Sequence, residues 1–234
     1  MIDKNTTENA LIIFIKNPQL GKVKTRLAKT VGDEKALEIY LELSKITREN
    51  CKMSLRGTRQ LRGQSTIQPY VFYSDFINKN DDWSNDIFEK AVQSGDDLGD
   101  RMLNAFSFIL KNHEKACIIG SDCPTLSVAI LESAFEALDN HDFVVGPSTD
   151  GGYYLLGMNA PQYLSDNKSE IRNPKSEIEP PQYLFENMVW STENVLHETL
   201  RRIKAQHKSV ALLPELTDVD EEKDWVNYLK IKTD

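Results

Sequence analysis

The stretch ALIIFIKNPQLGKVKTRL, from Ala10 to Leu27, passes from an unbroken apolar run into a basic loop and then into a helix start. A strand buried on both faces reads as a continuous apolar run rather than an alternating one, which is the habit of parallel sheets. Five more short runs share that character: Pro69–Ser74, Ala116–Gly120, Asp142–Pro147, Tyr153–Met158 and Ser209–Pro214. Between them, Asp33–Lys52, Leu98–Asn112, Ser127–Asp139, Thr192–Gln206 and Glu221–Lys232 place apolar residues at helical spacing. Strands alternating with helices predict one α/β domain over residues 1–234, a mostly parallel sheet covered by helices. Ser127 and Thr192 suit helix N-caps.

The totals limit what such a domain can do. With 28 Lys plus Arg against 36 Asp plus Glu, the net charge is −8, and a field of that sign repels polyphosphate and anionic lipid. No nucleic-acid or membrane partner is expected, and any phosphate site must be local. No apolar run reaches the roughly 18 residues that span a bilayer, and the polar start MIDKNTTENA lacks the parts of a secretory signal, so a cytoplasmic location is expected. Three cysteines, Cys51, Cys117 and Cys123, show no metal-finger spacing. Cys51 and Cys117 read as core residues, and Cys123 as a packed thiol with no histidine near it in sequence.

Two segments break the pattern. Residues 161–182 repeat themselves, with KSEI at Lys168 and Lys175 and PQYL at Pro161 and Pro181, and residues 54–66 contain LRG twice. Both are too rich in charge, glycine or proline to bury much apolar surface and read as solvated loop insertions.

The basic loop follows the first strand directly, so it belongs at the carboxyl edge of the sheet, where open α/β folds bind ligands. Gly21 permits a close turn, and Lys16, Lys22, Lys24 and Arg26 project from a loop that enters a helix, an arrangement suited to a diphosphate. It matches neither phosphate-loop nor dinucleotide spacing. In IIGSDCPTL (Ile118–Leu126) a strand runs straight into Asp122, which can hold a hard divalent cation or cap the next helix. In GPSTDGGYYLLG (Gly146–Gly157), Asp150, Gly151 and Gly152 form a sharp turn that also allows close approach to a ligand, with Asp150 free to bond sugar hydroxyls. Tyr153 and Tyr154 point to opposite faces, so at most one is expected to line a site. SGDDLGDRM (Ser94–Met102) sets Asp97 and Gly99 before a helix with Arg101 in its first turn, and the aspartates there serve as caps equally well. TDVDEEKDW (Thr217–Trp225) offers Asp218 and Asp220, alternating acids that can face one side and supply a second carboxylate, or cap the last helix.

Taken in order, KNPQLGKVKTRL, DDLGDRM, GSDCPTL, GPSTDGGYYLLG, VWSTENVL and DVDEEKDW resemble a glycosyltransferase-like family named for its genomic association with radical SAM and selenium-domain proteins. That family is similar in turn to the nucleotide-diphospho-sugar transferase superfamily, which includes 2-phospholactate guanylyltransferase and the molybdenum cofactor guanylyltransferase. The resemblance implies a GT-A-like, Rossmann-related three-layer α/β/α fold that binds a nucleotide diphosphate with Mg²⁺ or Mn²⁺. By position it implies phosphate contacts from Lys16, Gly21, Lys24 and Arg26, a metal ligand at Asp122 and a second at Asp220. DVDEEKDW lacks the Thr-Pro pair of the superfamily's ending.

The expected activity is metal-dependent transfer of a sugar from a nucleotide-diphospho-sugar to an acceptor, with Asp122, Asp150 and Arg26 as catalytic candidates. Asp97, Gly99 and Arg101 join the nucleotide site, and Gly151, Gly152 and Tyr153 the substrate site. The alternatives are nucleotidyl transfer from an NTP to a small phosphorylated acceptor, and nucleotide binding without turnover.

Overall fold

The computed structural model describes residues 9–60, 67–161 and 180–233. The strands are β1 (Asn9–Ile15), β2 (Ile67–Tyr73), β3 (Glu89–Val92), β4 (Lys115–Ile119), β5 (Phe143–Pro147), β6 (Tyr153–Asn159) and β7 (Val210–Leu212). They form one sheet in the order β3-β2-β1-β4-β6-β5-β7. Only β6 runs against its neighbours among the described strands, pairing antiparallel with β4 and β5. The helices are α1 (Thr25–Val31), α2 (Asp33–Gln60), α3 (Leu98–Ile109), α4 (Val128–Ala137), α5 (Val195–Ala205) and α6 (Glu222–Thr233).

Strand side chains alternate between faces, and the core divides accordingly. Leu11, Ile13 and Ile15 of β1, with Val71, Cys117 and Val144, face α2 and α4 through Cys51, Leu131 and Phe135. Ala10 and Ile12, with Phe72, Ile118 and Leu156, face α3 and α5 through Phe106, Ile109 and Ile203. The result is the three-layer α/β/α arrangement. Among the described residues, no helix is long and apolar enough to cross a membrane.

Three local differences from the sequence expectation have physical causes. Strand β3, EKAV, is a four-residue edge strand with little buried surface, so it carries no apolar run to mark it. Helix α1 is a separate seven-residue element that the spacing did not delimit: Gly32, at φ 83°, closes it with its N–H on the Ala28 carbonyl, and α2 starts at Asp33 as expected. The segment 54–66, read as a loop, is corrected in its first half. Helix α2 continues to Gln60, because a helix already nucleated extends readily through Leu, Arg and Gln at the cost of about 1 kcal/mol for Gly57. Residues 61–66, and 162–179 of the second expected insertion, lie outside the described residues.

The topology fixes where a ligand can enter. From β1 the chain runs to β2 and β3 on one side, then crosses by α3 to β4 on the other. The strand order thus reverses between β1 and β4, and open α/β sheets bind ligands outside the carboxyl ends of the strands at such a point. The extended segment after β7 reaches the same edge along β5: Leu213 N–H bonds Val145 O, Leu216 N–H bonds Pro147 O, and Val219 N–H bonds Asp122 O at 2.9 Å.

Candidate active site

A cavity of about 550 Å³ opens at that edge, within the size range of small-molecule sites. Its floor comes from the ends of β1, β2 and β4, and its walls from α1, α3 and the segment carrying Asp218 and Asp220.

The β1 loop is held from two directions. Buried Asn17 takes the Ser74 hydroxyl as acceptor for its N–H at 3.1 Å, donates its side-chain amide to Phe76 O at 2.8 Å, and accepts the Asp75 N–H at 3.0 Å. Tyr40 of α2 accepts the Lys16 N–H at 2.8 Å and donates to the Lys16 carbonyl at 2.7 Å. Burial holds its phenol well above the usual range. The loop is thus fixed before any ligand arrives.

Lys24 ends that loop in the left-handed region, at φ 48° and ψ 46°, a costly backbone for a residue with a side chain. Its side chain is 5% exposed, and its ammonium lies 3.0 Å from Asp122 Oδ2 and 3.4 Å from Asp220 Oδ1. Burial alone would lower its pKa, but Asp122 and Asp220 outweigh burial and hold it above its ordinary value. Arg26, largely exposed, reaches Asp220 Oδ2 at 3.3 Å.

Asp218 sits behind this group and accepts the Ser148 hydroxyl at 3.0 Å. Burial, then the nearby Asp122 charge, push its carboxyl up to about 7. Cys123 also lines the cavity, its thiol pushed up to about 12 by burial and by Asp218, so it is a packed thiol and no nucleophile.

The structure brings Lys16, Lys24, Arg26, Arg101, Asp122, Tyr153 and Asp220 to the cavity wall. Tyr154 lines it as well, contrary to the expectation that only one of the two tyrosines could. The cavity lies across the sheet's end, where both faces are reached. Tyr153 Oη donates to Met102 Sδ at 3.9 Å and Tyr154 Oη to Pro214 O at 2.9 Å.

Gly21, Asp97, Gly99, Asp150, Gly151 and Gly152 are not among the lining residues. Asp97 caps α3, accepting the Asp100 N–H at 2.9 Å, and Asp150 Oδ1 accepts the Gly152 N–H at 3.0 Å within its own turn. The space that two of these glycines leave is filled by the chain itself. A Cβ on Gly99 would stand 2.7 Å from the Trp190 ring, and one on Gly151, at φ 87°, 2.2 Å from Glu193 O. Leu196 N–H then bonds Gly151 O at 2.9 Å. The motifs DDLGD, TDGG and VWSTEN therefore lock to one another and brace the wall that carries Arg101, Tyr153 and Ser191.

Sequence reasoning missed Tyr40 and Gln93. Tyr40 lies in a helix whose period read it as core. Gln93 follows the unmarked strand β3. Its amide donates to Ile15 O at 3.2 Å and Phe72 O at 2.9 Å, which leaves Oε1 as its remaining acceptor in the cavity lining.

Two hard carboxylates, Asp122 and Asp220, could serve as donors to a divalent cation; their oxygens converge on the Lys24 ammonium. Among the described residues, no three His, Cys, Asp or Glu side chains form a ready-made cage. The pair fits Mg²⁺ or Mn²⁺ in the usual open mode, with few protein ligands and the remainder from water and phosphate.

Similar proteins share the architecture. A "putative nucleotide-diphospho-sugar transferase" from Desulfovibrio desulfuricans G20 superposes with a TM-score of 0.70 at 26% identity, over 92% of this chain and 83% of that one. The 4-diphosphocytidyl-2C-methyl-D-erythritol synthase from Anaerococcus prevotii DSM 20548 gives 0.50 at 11% identity, over 97% of this chain and 100% of that one, a likeness of fold. No curated protein matches the chain in sequence. The family model that does match covers residues 57–192, more than half of the chain, and so the protein belongs to the family described as "Uncharacterized protein conserved in bacteria (DUF2064)".

Proposed function

We propose that the protein is a metal-dependent transferase that binds a nucleotide-diphospho-sugar at the carboxyl edge of β1 and β4 and moves its sugar to an acceptor. The observation that carries this reading is the convergence of Asp122, Asp220, Lys24 and Arg26 on one wall of the 550 Å³ cavity. Mg²⁺ or Mn²⁺ held by Asp122 and Asp220 would neutralise charge on the diphosphate, as hard cations do. Arg26 is exposed enough to turn from Asp220 to a phosphate oxygen, and a preorganised guanidinium stabilises charge on a departing diphosphate. Gln93, a lining residue whose amide N–H groups are taken by Ile15 O and Phe72 O, would offer Oε1 as an acceptor to an N–H of the base. Asp150, which bonds Gly152 within its own turn and lies outside the cavity lining, is given no catalytic role in this reading. The 26% identity to the Desulfovibrio protein supports the same reading.

Nucleotidyl transfer to a small phosphorylated acceptor is the second reading. It is favoured by cations beyond those a diphosphate needs, since Lys16 and Arg101 line the cavity as well. The two are separated by incubating the protein and Mn²⁺ with UDP-glucose, GDP-mannose, CTP or GTP and candidate acceptors. Release of nucleoside diphosphate supports sugar transfer, pyrophosphate release supports the second reading, and binding without release of either contradicts both.

A further inference from the structure

Among the described residues, Lys24 is the one lysine whose ammonium is buried between two carboxylates of this site, and it reaches them from a left-handed backbone that the fold holds at some cost. Two oxygens from different residues lie within 3.4 Å of its nitrogen, and Asp218 lies close enough to act on its charge. Those are the oxygens a divalent cation would take. Metal–oxygen bonds of about 2.0–2.2 Å to the same two carboxylates leave no room for an ammonium at the same point. Occupancy by Lys24 and by metal is therefore exclusive.

We propose that Lys24 is an exchangeable counter-cation, which holds Asp122 and Asp220 together until the metal enters and then leaves them for the phosphates of the ligand. The inference rests on the metal-binding reading of Asp122 and Asp220 given above. Its consequence is coupling. Metal alone must displace a paired ammonium into a cavity whose further lining carboxyl, Asp218, already accepts the Ser148 hydroxyl, whereas a diphosphate supplies a new anion, so metal and diphosphate bind more tightly together than apart. The lysine stem, four carbons long with free rotation at its head, is suited to such a swing, and a guanidinium of fixed planar geometry is less so. Before exchange, the same contact keeps three neighbouring acids from repelling one another.

The test is Mn²⁺ binding without nucleotide, read by the electron paramagnetic resonance of free Mn²⁺ and by calorimetry. The proteins are the wild type, Lys24→Met, Lys24→Gly and Asp122→Ala. Removing the competitor is expected to tighten Mn²⁺ by at least about tenfold in both Lys24 variants, and wild type is expected to approach them only when GDP or UDP is present. Lys24→Gly takes the left-handed backbone without strain and decides the matter if Lys24→Met loses its fold. Mn²⁺ bound with unchanged or weaker affinity by the Lys24 variants, yet lost in Asp122→Ala, overturns the exchange and leaves the metal site standing. No Mn²⁺ bound by any of the proteins, even with GDP or UDP, overturns the exchange and the metal reading together.

Discussion

Gly99, in the first turn of α3, packs against the Trp190 ring, with 2.7 Å between the ring and the place a Cβ would take. The contact joins two sequence motifs separated by about ninety residues and holds the wall from which Arg101 enters the cavity. Gly99→Ala is expected to displace the indole and to destabilise the fold by about 1–3 kcal/mol, the usual range for overpacking. Denaturant unfolding and the tryptophan emission maximum, with Trp190→Phe identifying the signal, check this. Unchanged emission and stability would contradict the packing.

Tyr40 bonds both the N–H and the carbonyl of Lys16, so Tyr40→Phe removes two contacts and leaves the ring in place. Stability is expected to fall by about 0.5–1.5 kcal/mol per lost bond, with a larger fractional loss in nucleotide affinity, since the basic loop loses its anchor. Urea unfolding and calorimetric titration measure the two effects. Equal affinity in the variant would show that the loop is held without Tyr40.

Asp218 is a partly buried acid near Asp122, kept by one hydroxyl contact from Ser148. Neutral Asp218→Asn retains an acceptor for that hydroxyl and removes the crowding of like charge. The expected result is a gain of about 0.5–2 kcal/mol in stability, the trade seen when a functional site is relaxed. A lower melting temperature in Asp218→Asn than in wild type would contradict it.

Asp142 ties the start of β5 to the start of β7 through Ser209 and Lys208. Burial would raise its pKa, but those contacts outweigh it and hold the carboxyl at about 2. A folded pKa below the unfolded value of about 3.9 contributes stability that is present above that value and lost as pH falls toward 2. The stability gap between wild type and Asp142→Asn is therefore expected to be full at pH 6, below about 1 kcal/mol for so exposed a pair, and to close between about pH 4 and pH 2. A gap constant to pH 2.5 would show that the carboxylate charge is not what ties the strands.

The fold was legible because β1, β2, β4, β5 and β6 are mostly buried and therefore advertise themselves as apolar runs. Strand β3 did not, since an edge strand of four partly exposed residues needs no such run. The site was legible in its charges, which stand out against an acidic chain, and Lys24, Arg26, Asp122 and Asp220 do meet. What the sequence hid is which groups face a ligand and which face each other. The glycines of DDLGD and TDGG suggest room for a ligand, but the room holds Trp190 and Glu193, contacts that no local pattern encodes. Lys24 reads as a phosphate contact, yet without ligand it serves the acids, a pairing across 196 residues.

In the proposed function, Asp122 organises a site for a nucleoside diphosphate and a divalent cation. Calorimetric titration of UDP, GDP, UDP-glucose and GDP-mannose, each with and without Mn²⁺, into wild type and Asp122→Ala tests it most directly. At least one of these ligands is expected to bind the wild type only with Mn²⁺ and to lose that binding in Asp122→Ala. Nucleotide binding of equal affinity with and without Mn²⁺, unchanged in the variant, would contradict it.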